Sequence, residues 1–216
     1  ELVGTLNGTI ATSGYSGTNP WVWSSGNING SFTLAAGSTL DFTTGATKLL
    51  GHTAFFHNYG RFNWRQGLLQ GYQNSTFNNE SGATFDMFTD GDVFSNYQTG
   101  NVFNNKGGAL FIKSGKSATP DLSSFVDEWT FNNLGAIRSD NGTLHFHTAL
   151  NLGNGSTILR NGALAARVRS THYFVLTGTT TVNNITFESS GDFHGNLDPG
   201  TSGNGTISTI LGGVFN

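Results

Sequence analysis

The chain has 216 residues and a net charge of −3; 11% of its residues are charged, 12% are aromatic and none is Cys. The lack of Cys excludes disulfide scaffolds, thiol catalysis and Cys-ligated zinc, and without a basic run nothing attracts nucleic acid or an anionic membrane surface. No apolar run approaches the roughly 20 residues of a membrane-spanning helix, so membrane insertion is not expected, and the aromatic content marks a folded chain rather than a disordered one.

Residues 1–12 carry two quick Gly-Thr-apolar beats, Gly4-Thr5-Leu6 and Gly8-Thr9-Ile10. No leader is read at Glu1, so any signal peptide is expected to have been removed or to lie upstream. A turn cluster around Gly14 to Pro20 leads into Trp21-Val22-Trp23. Trp23 and Gly26 to Gly30 then match Trp64 and Gly67 to Gly71 at identical internal spacing, 41 residues apart. Phe32, Gly37 and Leu40-Asp41-Phe42 likewise match Phe77, Gly82 and Phe85-Asp86-Met87, at an offset of 45. The difference predicts a four-residue loop insertion over Tyr72 to Ser75.

A shorter unit runs through the middle of the chain. Phe77-Asn78-Asn79 returns as Phe103-Asn104-Asn105 and as Phe131-Asn132-Asn133, at intervals of 26 and 28 residues, each copy followed closely by Gly82, Gly107 or Gly135. The triplets read as an apolar knob with two polar turn-formers, that is, as structural repeat corners. Between them, segments such as Phe62-Asn63-Trp64 and Leu144-His145-Phe146 alternate apolar and polar residues, as strands with one buried face do. Self-similarity at this period marks units that bury their faces only against neighbouring copies. The predicted fold is all-β: a single-stranded parallel β-helix (β-solenoid) with rungs of roughly 20–28 residues, over 1–216 as one domain. Equivalent side chains should stack, Phe on Phe and Asn on Asn. Leu122 to Trp129, after Pro120, is the best helix candidate, and it is short. The last third keeps the beat more loosely, with a Thr/Val-rich strand pair from Thr177 to Phe187 and a Gly-rich corner from Gly195 to Gly205.

The Gly-Ser/Thr-Thr-Leu and Phe-Asn-Asn-x-Gly beats, with Gly195-Asn-Leu-Asp-Pro199-Gly200-Thr-Ser-Gly203-Asn-Gly205-Thr206-Ile207, resemble the β-helical repeats of large secreted adhesins and autotransporter-type passenger proteins. The resemblance implies a secreted or cell-surface location and a structural or adhesive role, and carries over no catalytic residue. Gly213-Val214-Phe215-Asn216 ends on half of such a corner, which Glu1 to Leu6 would complete; self-association end to end, or tandem copies, is therefore expected.

No cofactor, catalytic residue or metal site is assigned. Asp41 and Asp86 occupy equivalent repeat positions and would form a carboxylate pair if they stacked, although outward solvation is the simpler role. Asp90-Gly91-Asp92 reads as a turn ahead of a cation loop. His145 and His147 share one strand face but lack further ligands. Glycans are the second partner class. Trp23, Trp64, Arg167 and Arg169 are the contact candidates, the two Trp favoured as core because they match within the repeat, the two Arg as solubilising charges. The leading reading is a non-enzymatic solenoid building a surface fibre or adhesin. The alternative is a carbohydrate-active β-helix enzyme, a lyase or hydrolase, which needs two acids converging on a groove, or a glycan-binding module.

Overall fold

The computed structural model describes residues 1–12, 19–88, 91–92, 94–96, 98–115, 123–126, 129–141, 143–146, 148, 150–153, 155, 157–160, 167–170, 174–183, 187–189 and 193–198. The described secondary structure is all strand, and every strand pairing is parallel, each strand lying beside its counterpart in the next turn of one winding backbone. This is a β-solenoid. One turn shows the plan. Arg61–Trp64 lies on a first face, Leu69–Gly71 on a second and Thr76–Asn79 on a third, after which the chain returns to the first face at Thr84–Met87. Parallel neighbours must be about one turn apart in sequence, because their connection has to travel round the whole cross-section.

Register makes like meet like. On the third face Ile10, Phe32, Phe56, Phe77, Phe103, Phe131 and Leu150 are successive partners. On the first face Trp21, Leu40, Phe62, Phe85, Phe111 and Ile137 follow one another, with Trp23, Phe42, Trp64 and Met87 in the next inward column. The 41- and 45-residue offsets of the sequence repeat therefore join residues two turns apart. The expected four-residue insertion over Tyr72 to Ser75 is corrected by the register. Two of the extra residues fall between Trp64 and Leu69, which is the partner of Gly26 two turns on, and only two at the corner between Gly71 and Thr76, where Asn74 adopts a φ of 52°.

The inward columns make the core. Phe56 on Phe77, Phe77 on Phe103 and Phe103 on Phe131 stack with centroids 4.6, 5.0 and 4.8 Å apart. The first-face column, Phe62 on Phe85 on Phe111, stacks at 4.9 and 5.1 Å. The two columns meet edge to face, Phe77 on Phe85 at 5.4 Å and Phe103 on Phe111 at 5.3 Å. Both geometries are favoured by the aromatic quadrupole, so the cross-section is fixed by ring shape as well as by area removed from water.

Two expectations need correction. The Phe-Asn-Asn triplets are not corners but strands, Thr76–Asn79, Val102–Asn105 and Thr130–Asn133. Asn is a poor strand former alone, yet in a parallel register each amide finds an identical amide one turn away, and that ladder outweighs the local preference. The corners are the Gly-containing residues that follow. The helix candidate is also a strand over Ser123–Val126, paired with Gly91–Asp92 on one side and Thr143–Phe146 on the other. A single helical turn makes too few backbone bonds to offset its nucleation. Two strand neighbours satisfy the same groups on both edges.

Candidate functional site: the stacked polar columns

The second Asn of each triplet points inward at the end of its strand and is buried. Asn58 Nδ2 donates to Asn79 Oδ1 at 2.8 Å, Asn79 to Asn105 at 2.8 Å and Asn105 to Asn133 at 2.6 Å. The same nitrogens donate to the main-chain oxygens of Thr84, Leu110 and Ala136, each at 3.0 Å. Each amide thus ties its own strand to the following turn and to the first-face strand of that turn. The first Asn of each triplet faces outward and forms a second ladder. Asn104 donates to Asn78 at 2.9 Å, Asn132 to Asn104 at 2.9 Å and Asn151 to Asn132 at 2.7 Å. The inner ladder donates toward the C-terminal turns and the outer toward the N-terminal turns, so their amide dipoles oppose.

The first face carries an ionic network. Asp41, Asn63 and Asp86 are register partners in that order, so the expected carboxylate pair is separated by an amide. Nor are the two acids solvated: Asp41 is 7% exposed and Asp86 0%. Asp41 accepts from Asn63 Nδ2 at 2.7 Å and from Arg65 Nε at 3.0 Å, and Arg65 lies over the Phe88 ring at 4.5 Å. Asp86 accepts from Arg61 and from Ser114 Oγ, and Arg61 Nε also donates to Asn63 at 2.8 Å. Burial pushes the Asp86 carboxyl above its usual value, against the opposing Ser114 hydrogen bond and the charge of Arg61, and Asp140 adds to the rise. Arg61, Asn63 and Arg65 stand at i, i+2 and i+4 of one strand end. That alternation was the available signal for a covered network, once register is known.

On the third face Glu80, 7% exposed, joins His57 Nδ1 at 2.9 Å and Lys106 Nζ at 2.8 Å. Burial alone would raise its carboxyl. The hydrogen bonds from Lys106 and His57 outweigh that and hold it below the usual carboxylate value. Sequence reasoning missed this trio because its members come from three different turns.

Lys48 is buried as well. Its Nζ donates to Thr44 O at 2.6 Å, Thr44 Oγ1 at 3.0 Å and Ala46 O at 2.9 Å, and stands 3.9 Å over the Phe42 ring. One turn later Trp64 does similar work, its Nε1 donating to Gly67 O at 2.9 Å. Burial lowers the Lys48 ammonium to about 8. Because its folded value lies below its unfolded one, the unfolded chain holds the extra proton between pH about 8 and about 10.5. Stability contributed by this group therefore rises with pH across that window and is at its minimum below it. Urea denaturation at pH 8 and pH 10 is expected to show wild type gaining stability relative to Lys48→Met; parallel profiles for the two proteins would refute the assignment.

Trp23 and Trp64 are 1% and 2% exposed, within the core column, so as glycan contacts they are corrected: stacking in register turns both rings inward. Arg167 and Arg169 lie on the strand Arg167–Ser170, opposite Thr143 and His145. Their side chains, like those of Asp92 and His145, fall outside what is described, and Asp90 and His147 lie outside the described residues altogether. Among the described residues no group of three or more His, Asp or Glu could hold a metal ion. The surface has a cleft of about 360 Å³ lined by Asn29, Leu49, Gly51, His52 and Tyr72, beside the inserted corner, and one of about 200 Å³ around Tyr59 and Arg61.

In comparisons with protein-family models, curated proteins and solved structures, nothing matches this chain. The functional reading consequently rests on the geometry above and on the repeat pattern of the sequence.

Proposed function

We propose that this chain is a non-enzymatic structural segment of an extracellular fibre or adhesin, in which the length and stiffness of the rod are themselves the function. The observation that supports the reading is the continuity of the columns. Identical Phe and Asn side chains bond turn to turn, so bending or slipping by one residue would break two amide ladders and a ring stack together. A rod built this way lengthens by adding turns. Further copies in tandem, or end to end, are the partners that this construction admits, and the adhesin-like beats of the sequence support a secreted or cell-surface location.

The enzymatic alternative draws on Asp86, whose carboxyl is raised above its usual value by burial. It is the weaker reading, since Asp86 lies fully buried under Arg61 and Ser114, out of reach of a substrate. Electron microscopy of the native material tests the proposal: filaments or surface fibres containing the chain are expected. Free single particles that depolymerise a polysaccharide would overturn it.

A further inference from the structure

The corner joining the third face to the first varies in length from turn to turn. Four residues make it at Ala35 to Ser38, at Glu80 to Ala83 and at Lys106 to Ala109. Only two make it at Tyr59-Gly60 and at Leu134-Gly135. A corner two residues shorter leaves a gap in the edge of the rod. At the first short corner the gap is the 200 Å³ cleft lined by Gly37, Ser38, Thr39, Tyr59, Gly60, Arg61, Gly82 and Thr84. The longer corners below and above, carrying Gly37 and Gly82, are its walls, two rungs or about 10 Å apart. The tight geometry demands glycine, since a Cβ on Gly60 would collide with the main-chain oxygens of Ser38 and Ala35.

Tyr59 stands in this gap, 44% exposed. Its ring has an aromatic neighbour. It lies within 18° of parallel to the His57 ring at 6.4 Å, and His57 is held by Glu80, itself held by Lys106. Ser38, Thr39 and Thr84 line the same cleft. The charges nearby are already matched: Arg61 to Asp86 and Asn63, Lys106 to Glu80. The main-chain groups are used too, with Tyr59 N donating to Leu34 O, Arg61 N to Ser38 O and Thr84 N to Gly60 O at 2.8, 2.9 and 3.0 Å.

We propose that the short corner at Tyr59-Gly60 is a binding subsite for one ring of a neutral saccharide. A pyranose offers an apolar C–H face to an aromatic ring and a rim of hydroxyls that both donate and accept, and the cleft that holds Tyr59 is also lined by Ser, Thr and Arg residues able to meet such a rim. An acidic sugar or a nucleotide would need an uncompensated cation, and the described cations at the cleft are paired. A peptide adding as a strand would need open backbone groups, and those at this corner are bonded. Leu134, 51% exposed at the other short corner, offers no aromatic face and serves as the control. This inference goes beyond the mechanical reading and is tested apart from it, because its readout is binding and not filament formation.

The experiment is affinity electrophoresis of the full chain through gels containing soluble neutral polysaccharides (a glucan, a mannan, a xylan, a galactan), with polygalacturonate and heparin as acidic probes. Retardation by at least one neutral polymer is expected. Tyr59→Ala should weaken it roughly five- to tenfold, the scale of one lost ring contact, with an unchanged far-UV spectrum and melting temperature, while Leu134→Ala retains it. Lengthening Tyr59-Gly60 to four residues should abolish it by filling the gap. No retardation by any neutral polymer, retardation by acidic polymers alone, or equal retardation of wild type and a folded Tyr59→Ala would each overturn the proposal.

Discussion

Asn79→Ala is expected to destabilise the chain by about 3–5 kcal/mol, because it leaves two buried acceptors without their donor at about 1–3 kcal/mol each and opens a small void. Those acceptors are Asn105 Oδ1, at 2.8 Å, and Leu110 O, at 3.0 Å. Asn58 loses Asn79 Oδ1 but keeps Thr84 O. The informative comparison is Asn104→Ala on the outer ladder. Asn104 is half-buried and bonded to Asn78 and Asn132 at 2.9 Å each, and water replaces part of what is lost, so about 1 kcal/mol is expected. Urea midpoints at constant m-value measure both. Equal losses for the two variants would show that the inner ladder is not the stronger tie.

Phe103→Ala should be of similar severity, about 3–5 kcal/mol, as expected for a fully buried ring replaced in a core that cannot close over the gap. The ring lies 5.0 Å from Phe77 and 4.8 Å from Phe131 along its own column, and 5.3 Å from each of Phe85, Phe94 and Phe111 across the cross-section. Removing it breaks the column and takes away the wedge between two faces. In a stack of turns this loss lies at a nearest-neighbour interface, so the transition should broaden or split as the flanking segments uncouple. Phe55→Ala, at a ring 44% exposed on the outer face, should shift the midpoint by no more than about 0.5 kcal/mol. A sharp single transition for Phe103→Ala, shifted no further than that of Phe55→Ala, would contradict the packing described.

Much of the architecture can be read from spacing. A strand in a solenoid is paired by its own later copy, so its register is written as a sequence interval. The 26- and 28-residue steps of Phe-Asn-Asn reappear unchanged as hydrogen bonds between Asn79 and Asn105 and between Asn105 and Asn133. The matched Trp23 and Trp64 likewise indicated core, and core is where both rings lie. What misled were residues whose local preference opposes their role. Asn78 and Asn79 look like turn-formers because an isolated Asn competes with the backbone for hydrogen bonds, and only a second Asn at the same height changes that balance.

The sites were less legible, since each is made by residues that meet across turns of unequal length. His57, Glu80 and Lys106 are 23 and 26 residues apart, with no motif joining them. Asp41 and Asp86 share a repeat position yet never touch, because the turn between them supplies Asn63. The gap at Tyr59 exists only by contrast with the longer corners above and below it. Composition and period alone thus determined that the chain winds, that its strands run parallel and that Phe and Asn form columns, since identical side chains that recur once per turn are buried against each other. The tertiary structure decided which columns face inward, which charges are matched and where the edge is open, because those depend on the length of each corner relative to its neighbours, which takes a value only once the turns are stacked.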